Sequence, residues 1–269
     1  MIETFFDICP ELLELDKKAM ELCKPEFEKI HAIQEYNQVK MLKAFTECGV
    51  SSTHLVGSTG YGYDDSGRDK LDQVFATVMG AEDALCRSHF LSGTHALTVA
   101  LFGLLRMGDT LLAATGRPYD TLEGVIGLGD TKEQGYGSLA EYGVNYDEAP
   151  LTEEGQPDYE LIAQKAPHAT VCHIQRSRGY SNRSAFDLKT IEKVIQTAKT
   201  ANPNIVVMVD NCYGEFTQIA EPTSVGADLI VGSLIKNPGG GIAPTGGYIA
   251  GKHSLVEKCA HRLTCPGTG

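Results

Sequence analysis

The stretch Ile205-Val206-Val207-Met208-Val209-Asp210-Asn211 decides the fold of this chain, because five apolar residues end abruptly in two polar ones. Such a run is typical of a buried strand of a parallel sheet, and ligand sites of α/β proteins lie where these strands end. A second run, Asp228-Leu229-Ile230-Val231-Gly232, is followed by Ser233 and then by Lys236. We therefore expect the carboxylate of Asp210 and the amine of Lys236 at one edge of one sheet.

Apolar runs of strand length alternate with helical patterns through most of the chain. The runs predict strands near residues 83–87, 110–114, 169–175, 205–210, 228–232 and 247–250. Patterns with a period of about 3.6 residues predict helices near residues 69–79, 94–107, 158–166 and 187–200, and from about residue 254 onward. This alternation is typical of βαβ units, so we predict an α/β fold with a mostly parallel sheet flanked by helices on both faces.

The first 50 residues have a different pattern. Apolar residues recur at helical spacing from residue 11 to residue 48, and Gly49 ends the pattern. Pro25 predicts a break or a kink inside this helix. We predict an N-terminal helical arm, residues 1–50, followed by one large domain, residues 51–269, and the apolar arm is a candidate interface between subunits.

The composition argues against some classes of binding partner for this protein. Its 269 residues include 23 basic and 35 acidic side chains, and the resulting net charge of −12 argues against nucleic acid and an anionic membrane surface as partners. The longest apolar runs are far shorter than the roughly 18 residues of a membrane span. Because the acidic start Met1–Asp7 is unlike a secretory signal, we expect a cytoplasmic protein. The eight cysteines include no Cys-x-x-Cys pair, so we predict no metal site.

Polar residues at the predicted strand ends supply the parts of one cofactor site. Ser92-Gly93-Thr94 joins a strand to a helix, where backbone N–H groups and the helix dipole favour a phosphate, and Ser233 offers a hydroxyl to the same anion. Tyr119, at another such junction, can lie flat on an aromatic ring. Asp210 can pair with a pyridinium nitrogen, while a partly desolvated Lys236 can lose its proton and form a Schiff base. We therefore predict pyridoxal 5′-phosphate as the cofactor.

The motifs around these residues resemble those of a known family. Val209-Asp210-Asn211 followed by Ser233-Leu234-Ile235-Lys236 is similar to the fold-type I pyridoxal-phosphate enzymes of cysteine and methionine metabolism. Within that group the chain most resembles the methionine γ-lyase-like proteins often labelled aluminium resistance proteins. This closer resemblance is carried by Gly60-Tyr61-Gly62-Tyr63-Asp64-Asp65, Leu91-Ser92-Gly93-Thr94-His95-Ala96, Gln175-Arg176-Ser177-Arg178-Gly179-Tyr180 and Lys236-Asn237-Pro238-Gly239-Gly240-Gly241.

The resemblance implies a role for each matching residue. Lys236 matches the Schiff-base lysine and Asp210 the partner of the pyridinium nitrogen. The implied phosphate and ring contacts are Gly93, Thr94, Ser233 and Tyr119, with Tyr61 or Tyr63 reaching the phosphate from a neighbouring subunit. The resemblance further implies a homodimer or homotetramer and a lyase that removes a β- or γ-substituent from a sulfur-containing or related small amino acid. Family members continue into a C-terminal domain of about 100 residues, which we expect to be missing here.

Two questions stay open from the sequence. Arg176 and Arg178 belong to a basic cluster that binds the substrate carboxylate or forms a solvated salt-bridge face. The chain is an active lyase or a non-catalytic remnant that keeps the fold and serves as a binding or regulatory partner. Ser233-Leu234-Ile235-Lys236 also fits the Ser-x-x-Lys pattern of penicillin-recognising acyl transferases, but Pro238 and three glycines follow where that pattern needs a helix.

Overall fold

A seven-stranded sheet forms the centre of the computed structural model, which describes residues 2–57, 65–129 and 136–268. The strands are β1 (Asp83–Arg87), β2 (Thr110–Ala113), β3 (Asn145–Glu148), β4 (Val171–Gln175), β5 (Val206–Asp210), β6 (Leu229–Ser233) and β7 (Gly247–Gly251). Their order across the sheet is β1-β7-β6-β5-β4-β2-β3. The pairs of β7 with β1 and β6 are antiparallel and the others are parallel, so the predicted mostly parallel sheet is confirmed.

Helices cover both faces of this sheet, as predicted. In the described part of the chain they are α1 (Pro10–Glu47), α2 (Ser66–Met79), α3 (Gly93–Leu104), α4 (Asp120–Ile126), α5 (Tyr159–Lys165), α6 (Leu188–Ala201) and α7 (His253–Leu263). One apolar cluster joins the sheet to α2, α5 and α6, and a second joins it to α3, α4 and α7. The chain therefore has the three-layer arrangement of an α/β protein.

The register of the central strands sets the direction of Asp210. Val207 and Val209 belong to the cluster under α6, whereas Met208 belongs to the cluster under α3. Because successive side chains of a strand point to opposite faces, Asp210 lies on the same face as Met208. It pairs with Gln175 of β4. The acid at the end of β5 is thus directed to the side of the sheet that carries α3.

The N-terminal arm is one long helix. Its 38 residues continue through Pro25, so the predicted break is wrong. Pro25 removes one hydrogen bond of the helix, but most of α1 is exposed and water can hydrate the freed carbonyl. The C-terminal half is anchored through Ala44, which packs with Val74 and Val78 of α2. None of the helices in the described ranges is long and apolar enough to cross a membrane.

Two elements were not predicted from the sequence. The strand β3 is Asn145-Tyr146-Asp147-Glu148, which lies at the edge of the sheet and pairs with β2. An edge strand needs little apolar surface, and none of its residues is fully buried. The helix α4 has 7 residues, which is too short for a helical period to stand out.

Candidate active site

The strand β5 ends in a buried acid. Asp210 is 2% exposed, and its Oδ1 accepts a hydrogen bond of 3.1 Å from the backbone N–H of Cys212. A buried carboxylate needs further hydrogen bonds or a positive charge to offset its lost hydration. Asp210 is therefore suited to receive a cationic donor on the face of the sheet that carries α3.

The amine predicted to react lies beyond the end of β6. Lys236 is half-buried, and its Nζ lies 4.1 Å from the ring centroid of Tyr213. Burial lowers the pKa of Lys236, but Cys212, Tyr213 and Asp210 together raise it by more, so the net shift of this pKa is upward. The nearby anion and ring favour the ammonium form.

An anion cradle lies where α3 begins. Ser92 is the N-cap, and its Oγ accepts a hydrogen bond of 3.1 Å from the backbone N–H of His95. A Cβ placed on Gly93 would lie 2.9 Å from Cβ of Ser233, so glycine alone lets the helix approach β6 this closely. The Oγ of Ser233 is buried without a hydrogen-bond partner among the described residues. A buried hydroxyl in that state beside the N-terminal N–H groups of a helix matches the needs of an oxyanion.

Tyr119 connects this cradle to the neighbouring strands. Its hydroxyl lies 2.9 Å from Oγ1 of Thr94, and its backbone N–H donates a 3.0 Å hydrogen bond to Oε1 of Gln175. Burial raises the pKa of Tyr119, so the phenol is neutral. The sequence motifs assign no role to Gln175, yet it pairs with Asp210 across the sheet and accepts the hydrogen bond from the backbone N–H of Tyr119. Its position at the end of β4 was the available signal.

A cavity of about 720 Å³ lies beside these groups, and the cradle residues Ser92, Gly93, Thr94 and Ser233 are not among the residues that line it. Its walls include Tyr119, Arg178, Asp210, Tyr213 and Lys236. The predicted stacking ring, acid and lysine therefore share one space of the size that holds a small-molecule ligand. The predicted Tyr61 and Tyr63 lie outside the described residues.

The chain also matches known proteins over most of its length. Residues 12–269 fit the family described as methionine gamma-lyase. The chain belongs to the methionine gamma-lyase family. The "uncharacterized protein YnbB" of Bacillus subtilis (strain 168) is 48% identical over 243 residues, which are 90% of this chain and 57% of YnbB.

Solved structures agree with this membership in the methionine gamma-lyase family. A carbon-sulfur lyase involved in aluminum resistance from Clostridium novyi NT superposes with a TM-score of 0.93 at 48% identity, over 97% of this chain and 62% of that one. A pyridoxal-5′-phosphate dependent protein, YhfS of Escherichia coli, superposes with a TM-score of 0.65 at 18% identity, over 89% and 59% of the two chains. The second likeness shows a shared fold alone. The chain spans less than two thirds of the length of each of these three relatives.

In this member of the methionine gamma-lyase family the two candidate arginines differ. Arg176 is 3% exposed, so the alternative that it forms a solvated salt-bridge face is wrong. Its Nη1 donates to Oδ1 of Asn211 at 2.7 Å and lies 3.6 Å from Oε2 of Glu221. Arg178 is exposed on the wall of the cavity. Of the two, Arg178 has the guanidinium that a ligand can reach from solvent.

Arg176, which also lines the cavity, is part of a buried polar network. Asn211 donates hydrogen bonds from Nδ2 to Oε2 of Glu221 at 2.9 Å and to the hydroxyl of Tyr248 at 3.2 Å. Tyr248 donates in turn to Oε1 of Glu215 at 2.9 Å. Burial raises the pKa of Glu215 to about 8. These bonds fix the loop after β5, which carries Cys212 and Tyr213 into the cavity.

Proposed function

We propose that this chain binds pyridoxal 5′-phosphate and that the protein is a lyase acting on a sulfur-containing or related amino acid by β- or γ-elimination. The observation that carries the proposal is the buried, unpartnered hydroxyl of Ser233 against Gly93 at the start of α3. That cradle lies at the end of β6, the strand that leads to Lys236. Membership in the methionine gamma-lyase family supports the same activity.

The residues present fit this cofactor group by group. The turn at Ser92-Gly93-Thr94 and the hydroxyl of Ser233 would hold the phosphate, whose charge the helix start favours. The ring of Tyr119 would cover the heterocycle, and the carboxylate of Asp210 would accept a hydrogen bond from the ring nitrogen. Lys236 would provide the covalent attachment. When bound, the cofactor supplies an electron sink for a carbanion at the substrate α-carbon.

The side chains of the chain itself hold and move the protons. The buried carboxylate of Asp210 would favour a protonated ring nitrogen, because an anion in a poorly hydrated site favours the protonated form of its partner. Lys236 must give up the proton on Nζ before this atom can form a bond. Once free, Nζ is the base within the cavity that takes the substrate α-proton. The exposed guanidinium of Arg178 would bind the substrate carboxylate, while the buried Arg176 would keep its partners in place.

We further propose a cytoplasmic homodimer or homotetramer in which Tyr61 or Tyr63 of one subunit reaches the phosphate site of another. Exposed apolar side chains on α1 support an assembly, because burial of such a surface would stabilise it. They include Leu12, Leu15, Leu22 and Ile30. Analytical ultracentrifugation tests the assembly, and a monomer at micromolar concentration would refute it.

Reduction with borohydride tests the cofactor and its attachment point. The protein is incubated with pyridoxal 5′-phosphate, reduced and digested, and mass spectrometry is expected to find the added mass on the peptide that contains Lys236. Lys236→Ala should lose this adduct, whereas Lys252→Ala, which removes a lysine from the opposite end of the sheet, should retain it. Attachment to other lysines with Lys236 unmodified would refute the proposal.

Activity is tested separately with amino acids that carry a sulfur substituent. Release of a keto acid and ammonia, with a change in the visible absorbance of the bound cofactor, is expected for the lyase. Cofactor attachment on Lys236 without any amino-acid-dependent change would refute the lyase and favour the binding protein that the sequence left open. Asp210→Asn should keep the attachment and lower turnover by several orders of magnitude, because the ring nitrogen loses its anionic partner.

A further inference from the structure

The ammonium of Lys236 lies over the aromatic ring of Tyr213, which lines the same cavity. Its Nζ is 4.1 Å from the centroid of Tyr213, well within the range of a cation–π interaction. Tyr213 is 60% exposed, so packing in a core does not explain why an aromatic residue stands here. The contact joins the loop after β5 to the loop after β6.

The backbone of Tyr213 has an unusual conformation. Its φ is +67°, in the left-handed region that residues with a Cβ rarely adopt. Such a conformation persists where surrounding contacts hold it. Here the side chain of Asn237, the residue after the lysine, donates hydrogen bonds to the carbonyls of Tyr213 at 3.2 Å and Glu215 at 3.0 Å. The lysine loop therefore fixes the ring on which its own ammonium rests.

We propose that Tyr213 is a positioning residue for Lys236, which holds the amine at the cavity through its ring face, and that Asn237 locks Tyr213 in this place. The inference rests on the proposed function only for the use of Lys236 as the attachment point. The other titratable or charged groups that border this amine or line its cavity are Tyr119, Asp120, Arg176, Arg178, Tyr180, Asp187, Asp210 and Cys212.

The rate at which Lys236 is acetylated in the cofactor-free protein measures how strongly the ring contact stabilises the ammonium. At pH 8, a trace of acetic anhydride labels each lysine in proportion to its free-amine fraction, and mass spectrometry reports every site. Loss of a cation–π contact lowers the pKa of the amine, so Tyr213→Leu should label Lys236 about 3- to 30-fold faster than the wild type. Tyr213→Phe keeps the ring face and should label at the wild-type rate. Asn237→Ala should give a smaller increase.

Two further variants separate electrostatics from shielding. If the ring stabilises the charge of the ammonium, Lys236 should be labelled at the same rate in Tyr213→Ala as in Tyr213→Leu. Much faster labelling in the alanine variant would show that the ring only shields the amine from the reagent, and this would overturn the proposal. Lys193 and Tyr159 form a similar pair, with 3.9 Å from Nζ to the ring centroid, between α6 and α5. Tyr159→Leu should speed labelling of Lys193 and leave Lys236 unchanged.

Unchanged labelling of Lys236 in Tyr213→Leu would refute the proposal, and so would faster labelling in Tyr213→Phe. Circular dichroism checks folding of each variant, and Asn237→Ala, which keeps the Tyr213 side chain but removes the hydrogen bonds to the carbonyls of Tyr213 and Glu215, supplies the test if Tyr213→Leu unfolds. Reduction of the wild-type protein with pyridoxal 5′-phosphate provides a separate readout. If the cofactor fails to attach to Lys236 but the acetylation rates change among the variants as expected, the proposed function is refuted and the role of Tyr213 is not.

Discussion

We expect Gly93→Ala to displace the phosphate turn, because the structure leaves no room for a methyl group there. The new Cβ would lie 2.9 Å from Cβ of Ser233 and 3.6 Å from Sγ of Cys212. Carbon atoms in contact lie about 3.5–4.0 Å apart, so α3 and the end of β6 must separate by at least about half an ångström. Overpacking of this kind lowers the free energy of unfolding by about 1–3 kcal/mol, and the higher helix propensity of alanine offsets up to about 1 kcal/mol of this loss.

The net cost of about 0–3 kcal/mol should lower the melting temperature by up to about 12 °C. The affinity for pyridoxal 5′-phosphate, measured by absorbance titration, should fall at least about tenfold if even one charged hydrogen bond to the phosphate is lost. A double-mutant cycle identifies the cause. Ser233→Gly removes the facing Cβ and should suppress the destabilisation by Gly93→Ala, whereas Ser233→Ala keeps the clash and should not.

An unchanged melting temperature and cofactor affinity in Gly93→Ala would refute this reasoning. Equal rescue by Ser233→Ala and Ser233→Gly would also refute it, because the clash involves Cβ and not the hydroxyl.

Three other substitutions test separate parts of the site. Ser233→Ala should leave the stability of the cofactor-free protein unchanged or slightly higher, since its buried hydroxyl has no partner there, yet weaken cofactor binding about tenfold or more in an absorbance titration. Arg176→Met removes the guanidinium beside the buried carboxylate of Glu221, so urea unfolding should show a loss of about 3–5 kcal/mol. The pKa of Glu215 in the folded protein, about 8, exceeds its value in the unfolded chain. The free energy of unfolding should therefore decrease as the pH rises from about 4.5 to about 8, by up to about 1.4 kcal/mol per pH unit. Glu215→Gln should flatten this slope, and an unchanged slope would contradict the assignment.

The fold follows from the sequence wherever burial demands apolar residues on both sides of a strand. The run 205–210 predicts β5 to within one residue because β4 and β6 enclose it and helices cover both of its faces. The edge strand β3 has one neighbour and no such demand, so its polar sequence carries no strand signal. The difference between buried and exposed elements also explains why α1 continues through Pro25. Exposure of α1 leaves its pattern visible as a helix but lets Pro25 sit inside it, which a buried helix would tolerate less well.

The position of a polar group was easier to predict than its electrostatic state. Gly93, Ser233 and Lys236 could be assigned to one end of the sheet, because carboxyl ends of parallel strands meet there. The contact between the ammonium of Lys236 and the ring of Tyr213 depends on a loop whose path follows from distant hydrogen bonds. Burial of Arg176 likewise depends on partners from other parts of the chain. Neither effect leaves a periodic or spacing signal in the sequence.

The motif Asp210-Asn211 shows how one strand end can serve two purposes. Asp210 lies on the α3 face, toward the cavity, and is suited to hold a cationic ring. Asn211 is buried in the polar network formed with Tyr248 and Glu221, and Tyr248 packs in the apolar cluster on the α6 face. Because neighbouring residues of a strand point to opposite faces, the acid can remain available to a ligand while the adjacent amide anchors the loop that carries Tyr213. The chemistry of the cavity and the stability of its wall are thus determined by adjacent residues with separate partners.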